Sequence, residues 1–266
     1  MTDFKSALHS KGWFGFDLDD TLHEFRKASS QASEHAFATI NSAEDVEIAA
    51  LRTTYQKILS TTTANAFTDG RSSTEYRRDR FSQLLHAHGV DDADDDIIPD
   101  DTPDPDGFLS KTTLVLASYK RALESNLSLK PGVVDLFQTL RELGKKIIVI
   151  TEGPADAQEW TVQKLGIKSY IDVLVTTNEV GKSKVDGLFD VVLKKHGISN
   201  EDIVYFGDNE VRDVKAASES GILAVLYDEK KDSELDNLEK LRIGSWESLQ
   251  KMILEGDGKS GYENAS

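Results

Sequence analysis

Residues 202–207 read DIVYFG, and four other runs share their character: GWFGFD (12–17), KIIVIT (146–151), IDVLVT (171–176) and ILAVLY (222–227). Each is short, rich in Ile, Val, Phe or Tyr, and without helical period. A strand buried on both faces has no polar side to alternate with. Such runs therefore predict a mainly parallel sheet covered on both sides. Helical patterns fill the intervals between the last four in chain order, residues 146–227. Residues 154–165 start at Pro154, where a missing N–H costs nothing, and stop at Gly166. Residues 187–196 and 210–220 stop in the same way at Gly197 and Gly221. Strand and helix in alternation give βαβ units and an open α/β sheet.

Between the first two runs the pattern changes. From about residue 26 to 126 no comparable strand occurs, and helical stretches around 28–63, 72–88 and 110–126 predict a mostly helical insertion. Leu51, Tyr55, Ile58 and Leu59 fall on one helical face, which core packing explains. Residues 91–106, DDADDDIIPDDTPDPD, hold nine aspartates and three prolines. A calcium loop with Gly107 at its sixth position would start at Thr102 and end at Thr113, and both ends lack the required carboxylate. A solvated, self-repelling loop is the simpler reading. The expected organisation is a core from residues 1–25 and 127–254, an insertion over 26–126, and a disordered tail over 255–266.

The chain has 266 residues, 47 acidic against 31 basic, for a formal charge of −16. A nucleic-acid partner would call for a basic face, and an anionic membrane would repel this charge, so neither is expected. No cysteine is present, which removes disulfides, thiolate metal sites and thiol catalysis together. No stretch has the length of a signal peptide's apolar region or of a membrane span, and a cytoplasmic setting is expected.

The candidate chemistry lies at strand ends. In FDLDDTL, Asp17 and Asp19 follow the first strand and would share a face if the strand continued. One carboxylate could attack while the other moves a proton, although a strand-ending turn explains the aspartates equally well. A second acidic pair, Asp208 and Asp213 in YFGDNEVRDV, follows another strand. Ligands of open α/β sheets bind outside the carboxyl ends of the strands, so the two clusters should converge there. Several carboxylates in one crevice need a cation, and an all-oxygen set suits magnesium rather than zinc. Thr151, ending VIT before a helix start, offers a hydroxyl and nearby N–H groups to an anion. Lys184 could bring positive charge to the same edge, and Lys182 reads as a surface lysine.

Four segments, FDLDDTLHEF, VITEGPADAQ, EVGKSKVDGLF and VYFGDNEVRDVKAASESG, resemble in order and setting the motifs of the haloacid dehalogenase superfamily. The resemblance spans about residues 12–228. It implies a Rossmann-like core with a helical cap between the first and second motifs. Carried over by position, it implies Asp17 as nucleophile forming an aspartyl-phosphate, and Asp19 as the acid and then the base. Thr151 and Lys184 would hold the phosphoryl group, with Glu152 beside them at the substrate. Asp17, the Asp19 carbonyl, Asp208 and Asp213 would form the magnesium site. Two departures stand out: Glu152 occupies a position where many relatives have Asn, and Val185 follows Lys184 where Pro is frequent.

The resemblance implies a magnesium-dependent phosphohydrolase acting on a small phosphorylated metabolite. Dehalogenation is disfavoured by Asp19, whose counterpart those relatives lack. A phosphomutase, or a non-catalytic binding protein on the same scaffold, is the alternative. The insertion should cover the site and hinge near 22–27 and 126–132. Arg71, Arg77, Arg78 and Arg80 form a basic island in it; exposed helix arginines are the plainer reading, with contact to substrate the other.

Overall fold

The expected strands form as β1 (Trp13–Phe16), β2 (Lys146–Thr151), β3 (Val173–Thr176), β4 (Ile203–Gly207) and β5 (Leu223–Tyr227). A sixth, β6 (Arg242–Ile243), extends the edge beyond β5. All neighbours are parallel, in the order β3-β2-β1-β4-β5-β6. The computed structural model describes residues 4–62, 66–90, 110–231 and 241–255; the aspartate-rich segment 91–106 and the tail beyond residue 255 lie outside them.

Period-two alternation divides the apolar runs between two layers. Phe14, Phe16, Ile147, Val149, Val204 and Phe206 face one side. They meet α1 (Phe4–Ser10), α6 (Val133–Glu142) and α11 (Trp246–Leu254). Ile148, Ile150, Ile203 and Tyr205 face the other, under α9 (Leu188–His196) and α10 (Ala216–Glu219). Beside the sheet run α7 (Ala155–Lys164) and the single turn α8 (Thr177–Val180). Trp246 is fully buried and stacks on Tyr227 at 4.4 Å. Its Nε1 donates to the Thr21 carbonyl at 3.2 Å, which ties the loop after β1 to the far helix layer. Both faces of the sheet are thus covered, as the continuous apolar runs required, and the core is α/β and Rossmann-like.

The insertion consists of α2 (Phe25–Glu44), α3 (Ile48–Thr62), α4 (Ser73–Ala87) and α5 (Lys111–Asn126), with a core of its own. The expected continuous stretch 28–63 is broken where Asp45 takes a left-handed conformation, φ 55°, and donates its N–H to the Asn41 carbonyl. Leu51 and Tyr55 are buried, with Ile58 and Leu59 packed against the same cluster. Ala28, Ala32 and Ala36 give α2 a small-residue face in this core.

Two connectors join the insertion to the sheet side by side. Glu24 N–H donates to the Ser128 carbonyl at 3.0 Å, and Lys130 N–H to the Leu22 carbonyl at 2.9 Å. Lys130 Nζ, almost fully buried, bridges Glu24 at 3.1 Å and Glu229 at 2.8 Å. A second attachment forms at the other side. Ser73 donates through N–H and Oγ to Asp156, at 2.9 and 2.7 Å. Asn178 Nδ2 donates to the carbonyls of Phe67 and Arg71.

Candidate active site

Because β1 lies between β2 and β4, the carboxyl ends of these three strands open onto one edge. The chain winds one way through β1, β2 and β3, then crosses to β4, so this edge is the topological switch point. Asp17 follows β1 and donates its N–H to the Phe206 carbonyl of β4 at 2.8 Å. Asp208 follows β4, and Thr151 ends β2. All the expected site residues gather here.

Lys184 joins two of the carboxylates. Its Nζ, 3% exposed, lies 2.5 Å from Asp17 Oδ1 and 2.6 Å from Asp213 Oδ1. Lys182 is exposed. Thr21 Oγ1 donates to Asp17 Oδ2 at 3.2 Å and accepts from the Asp208 N–H at 3.0 Å, so one hydroxyl spans the ends of β1 and β4. Asp213 Oδ2 accepts from the Asn209 N–H at 3.0 Å. Tyr205 Oη lies 2.9 Å from the Ile150 carbonyl and 3.3 Å from Asp213 Oδ1, and its one proton can serve either.

Two glycines make room for this arrangement. A Cβ on Gly207 would lie 2.3 Å from Asp213 Cγ, and one on Gly15 would lie 2.8 Å from the Tyr205 ring. Asp213 enters the site through a wide helical turn over Glu210–Lys215, where a regular α-helix was expected. Such turns recur at functional sites.

Asp19 stands apart from the lysine. Its Oδ1 is 2.8 Å from Nε2 of the fully buried His23, and its Oδ2 accepts from Gln158 Nε2 at 3.4 Å. Asp20, at φ 62°, turns the chain away from the sheet and receives Arg26 Nε at 3.1 Å. Arg26 Nη2 also reaches Asp208 Oδ2 at 3.1 Å. Glu152 accepts from the Lys184 N–H at 3.2 Å and from Arg212 Nη1 at 2.9 Å, so a basic partner meets its charge.

Burial dominates the electrostatics. Desolvation pushes Asp17 from 3.8 up to about 8; Lys184 pulls the other way, and Asp213 adds to the rise. Burial works against the Lys184 charge too, but Asp17 and Asp213 outweigh it and hold its pKa well above the ordinary lysine range. Burial likewise raises Asp208, with Arg26 opposing. One ammonium therefore leaves the carboxylates under-compensated.

Oxygens of Asp17, Asp208 and Asp213 lie within 4.8 Å of one another, with no His or Cys in the group. That donor set fits a hard divalent cation, which would supply the missing charge. Thr151 Oγ1 is buried and meets no hydrogen-bond partner among the described residues, leaving a hydroxyl available to an anion beside Lys184. Site and insertion enclose one cavity of about 960 Å³.

Thr21, His23, Gln158, Arg26 and Arg212 were not singled out from sequence. Thr21 and His23 each follow a site aspartate by four residues, a spacing that one tight turn brings together, as the Leu22 N–H to Leu18 carbonyl bond of 2.9 Å shows. The others arrive through tertiary contacts that leave no local signal.

A profile of haloacid dehalogenase-like hydrolases matches residues 13–221. A glyceraldehyde 3-phosphate phosphatase of Methanocaldococcus jannaschii is 30% identical over 144 residues, 53% of this chain and 63% of that protein. The chain thus spans a little under two thirds of that relative's length. A second glyceraldehyde 3-phosphate phosphatase, from Methanopyrus kandleri, is 24% identical over 214 residues, 79% of this chain and 81% of that protein. Among solved structures, the HAD-hydrolase YfnB of Bacillus subtilis, in a form bound to magnesium, aligns with TM-score 0.63 at 18% identity. That alignment covers 92% of this chain and 99% of that one. Among the described residues no helix is long and apolar enough to cross a membrane.

Proposed function

Because the chain belongs to the haloacid dehalogenase-like hydrolases, we propose that it hydrolyses small phosphomonoesters, with Asp17 as nucleophile and magnesium as cofactor. The observation that carries this reading is the trio Asp17–Lys184–Asp213, buried at the switch point with Asp208 and Asp19 beside it.

Asp17, Asp208, Asp213 and the Asp19 carbonyl would hold magnesium. Bound there, the ion supplies positive charge that lets a carboxylate approach an anionic phosphate. Lys184 and Thr151 bind the non-bridging phosphoryl oxygens, the first by charge and the second by its free hydroxyl. Asp17 attacks phosphorus while Asp19 gives a proton to the departing ester oxygen, leaving an aspartyl-phosphate and a free alcohol. Asp19, now ionised, takes a proton from water as that water attacks phosphorus; phosphate departs and Asp17 is restored. His23 orients Asp19 through the 2.8 Å contact. Glu152 positions Lys184 through its backbone N–H instead of touching phosphate. Residues 26–126 serve as a cap, swinging on connectors near 22–27 and 126–132 and shielding the intermediate from bulk water.

The test is phosphate release from an ester panel, with and without magnesium, beside an Asp17→Asn variant. The panel starts from glyceraldehyde 3-phosphate, the ester for which two relatives are named. Release that needs magnesium and vanishes in the variant is expected. Release that survives Asp17→Asn would remove the nucleophile assignment.

A further inference from the structure

The cavity that holds Asp17 extends into the insertion and is lined there by Arg80. Among the described residues, five cationic side chains line the cavity. Lys184 faces Asp17 and Asp213, Arg26 faces Asp20 and Asp208, and Arg212 faces Glu152. Arg52 forms a two-pronged pair with Glu34, both bonds 2.8 Å. Arg80 meets no carboxylate among the described residues. Its Nε donates to Thr62 Oγ1 at 3.0 Å, while Nη2 is buried without an acceptor. Its guanidinium lies 5.9 Å from the centre of the Phe67 ring and 5.8 Å from that of Tyr76.

An arginine so placed is not the exposed helix residue the sequence suggested. Removal from water without an anionic partner is unfavourable for a guanidinium, and burial lowers its pKa. Two phenols, Tyr55 and Tyr119, stand near it in the cavity wall, and burial raises the pKa of both, so they remain neutral donors. Tyr119 lines the same cavity as Arg80 and Asp19.

We propose that Arg80 binds a second anionic group on the substrate, a carboxylate or another phosphate distant from the one transferred, with Tyr119 in the same cavity wall. This rests on the phosphohydrolase reading above and narrows it to doubly anionic esters. In a chain of net charge −16, a distal anion needs a local cation to enter, and among the described residues Arg80 is the cavity-lining cation that meets no carboxylate.

The test is the ratio of kcat/KM within matched ester pairs, with magnesium, for the wild type, Arg80→Met and Arg80→Lys. 3-Phosphoglycerate against glycerol 3-phosphate probes a carboxylate. Fructose 1,6-bisphosphate against fructose 1-phosphate probes a second phosphate. The wild type should favour the doubly anionic member of at least one pair. Arg80→Met should lower that ratio roughly 10- to 100-fold, chiefly through KM, and Arg80→Lys should retain part of it. A merely structural arginine would lower both members of a pair together, and that result overturns the proposal. So does a wild type without preference in either pair. If no ester is hydrolysed, the phosphohydrolase reading fails separately. Calorimetric titration of the same pairs into wild type and Arg80→Met then decides the subsite. Loss of selective binding supports it, and equal binding overturns it.

Discussion

Lys184 Nζ lies 2.5 Å from Asp17 Oδ1 at a point where both side chains are less than a tenth exposed. The lysine is thereby a structural counter-charge as well as a candidate phosphate ligand. Lys184→Met should cost about 3–5 kcal/mol in the chelated protein, because it strands Asp17 and Asp213 in a poorly solvated pocket. Urea denaturation with and without magnesium checks this. A loss under 1 kcal/mol, or one that magnesium does not reduce, would mean that the pocket is better solvated than its burial indicates.

The raised pKa of Asp17 has a definite sign in stability. Unfolded, the group ionises near 3.8; folded and metal-free, near 8. Its stabilising contribution is complete below about pH 4 and disappears as pH rises towards 8, since the unfolded chain loses the proton first. The chelated wild type should therefore lose stability relative to Asp17→Asn across that window. Parallel denaturation profiles for the two proteins from pH 5 to 8 would contradict the assignment. Magnesium binding below pH 8 should also release protons, readable by calorimetry in buffers of differing ionisation enthalpy.

Gly207→Ala should disturb the acidic cluster while leaving every carboxylate in place. The new methyl group would sit 2.3 Å from Asp213 Cγ, and that side chain is also tied by Lys184 and the Asn209 N–H. About 1–3 kcal/mol of destabilisation is expected, together with weaker magnesium binding. Wild-type magnesium affinity in this variant would show that Asp213 is freer than its contacts suggest.

His23→Gln tests the positioning of Asp19. The ring is fully buried, and its Nε2 is 2.8 Å from Asp19 Oδ1. Loss of that constraint should lower kcat about tenfold with little change in KM. A matching rise in KM at constant kcat would instead point to a role in binding.

How much of this could be read from sequence depended on where the information resided. Strands buried on both faces print themselves as unbroken apolar runs, so β1 to β5 were legible. The two-residue β6 is too short to carry any pattern, and α6 and α11 went unremarked despite apolar faces that pack beneath the sheet. The break at Asp45 was invisible because the helical period resumes almost at once. That Asp17, Asp19, Thr151, Lys184, Asp208 and Asp213 would come to one cavity was legible from their places near strand ends and in motifs. Glu152 stood out only as a departure from Asn, since its partner Arg212 lies 60 positions away. Arg80 was legible only as part of a basic island; the absence of a carboxylate opposite it is a property of the folded cavity.

The strand order also has a consequence for biosynthesis. β1 carries Asp17 and pairs on one side with β2 and on the other with β4, and Thr21 meets Asp208 across 187 positions. On the ribosome, the WFGF segment emerges before β2 and β4 and stays without one flanking partner until the chain past residue 207 has been made. At about 5–20 residues per second, that exposure lasts on the order of ten seconds or more. The insertion helices, with a core of their own, can collapse meanwhile. Polypeptides released before β4 should be both inert and prone to aggregate, so incomplete synthesis yields no stray hydrolase.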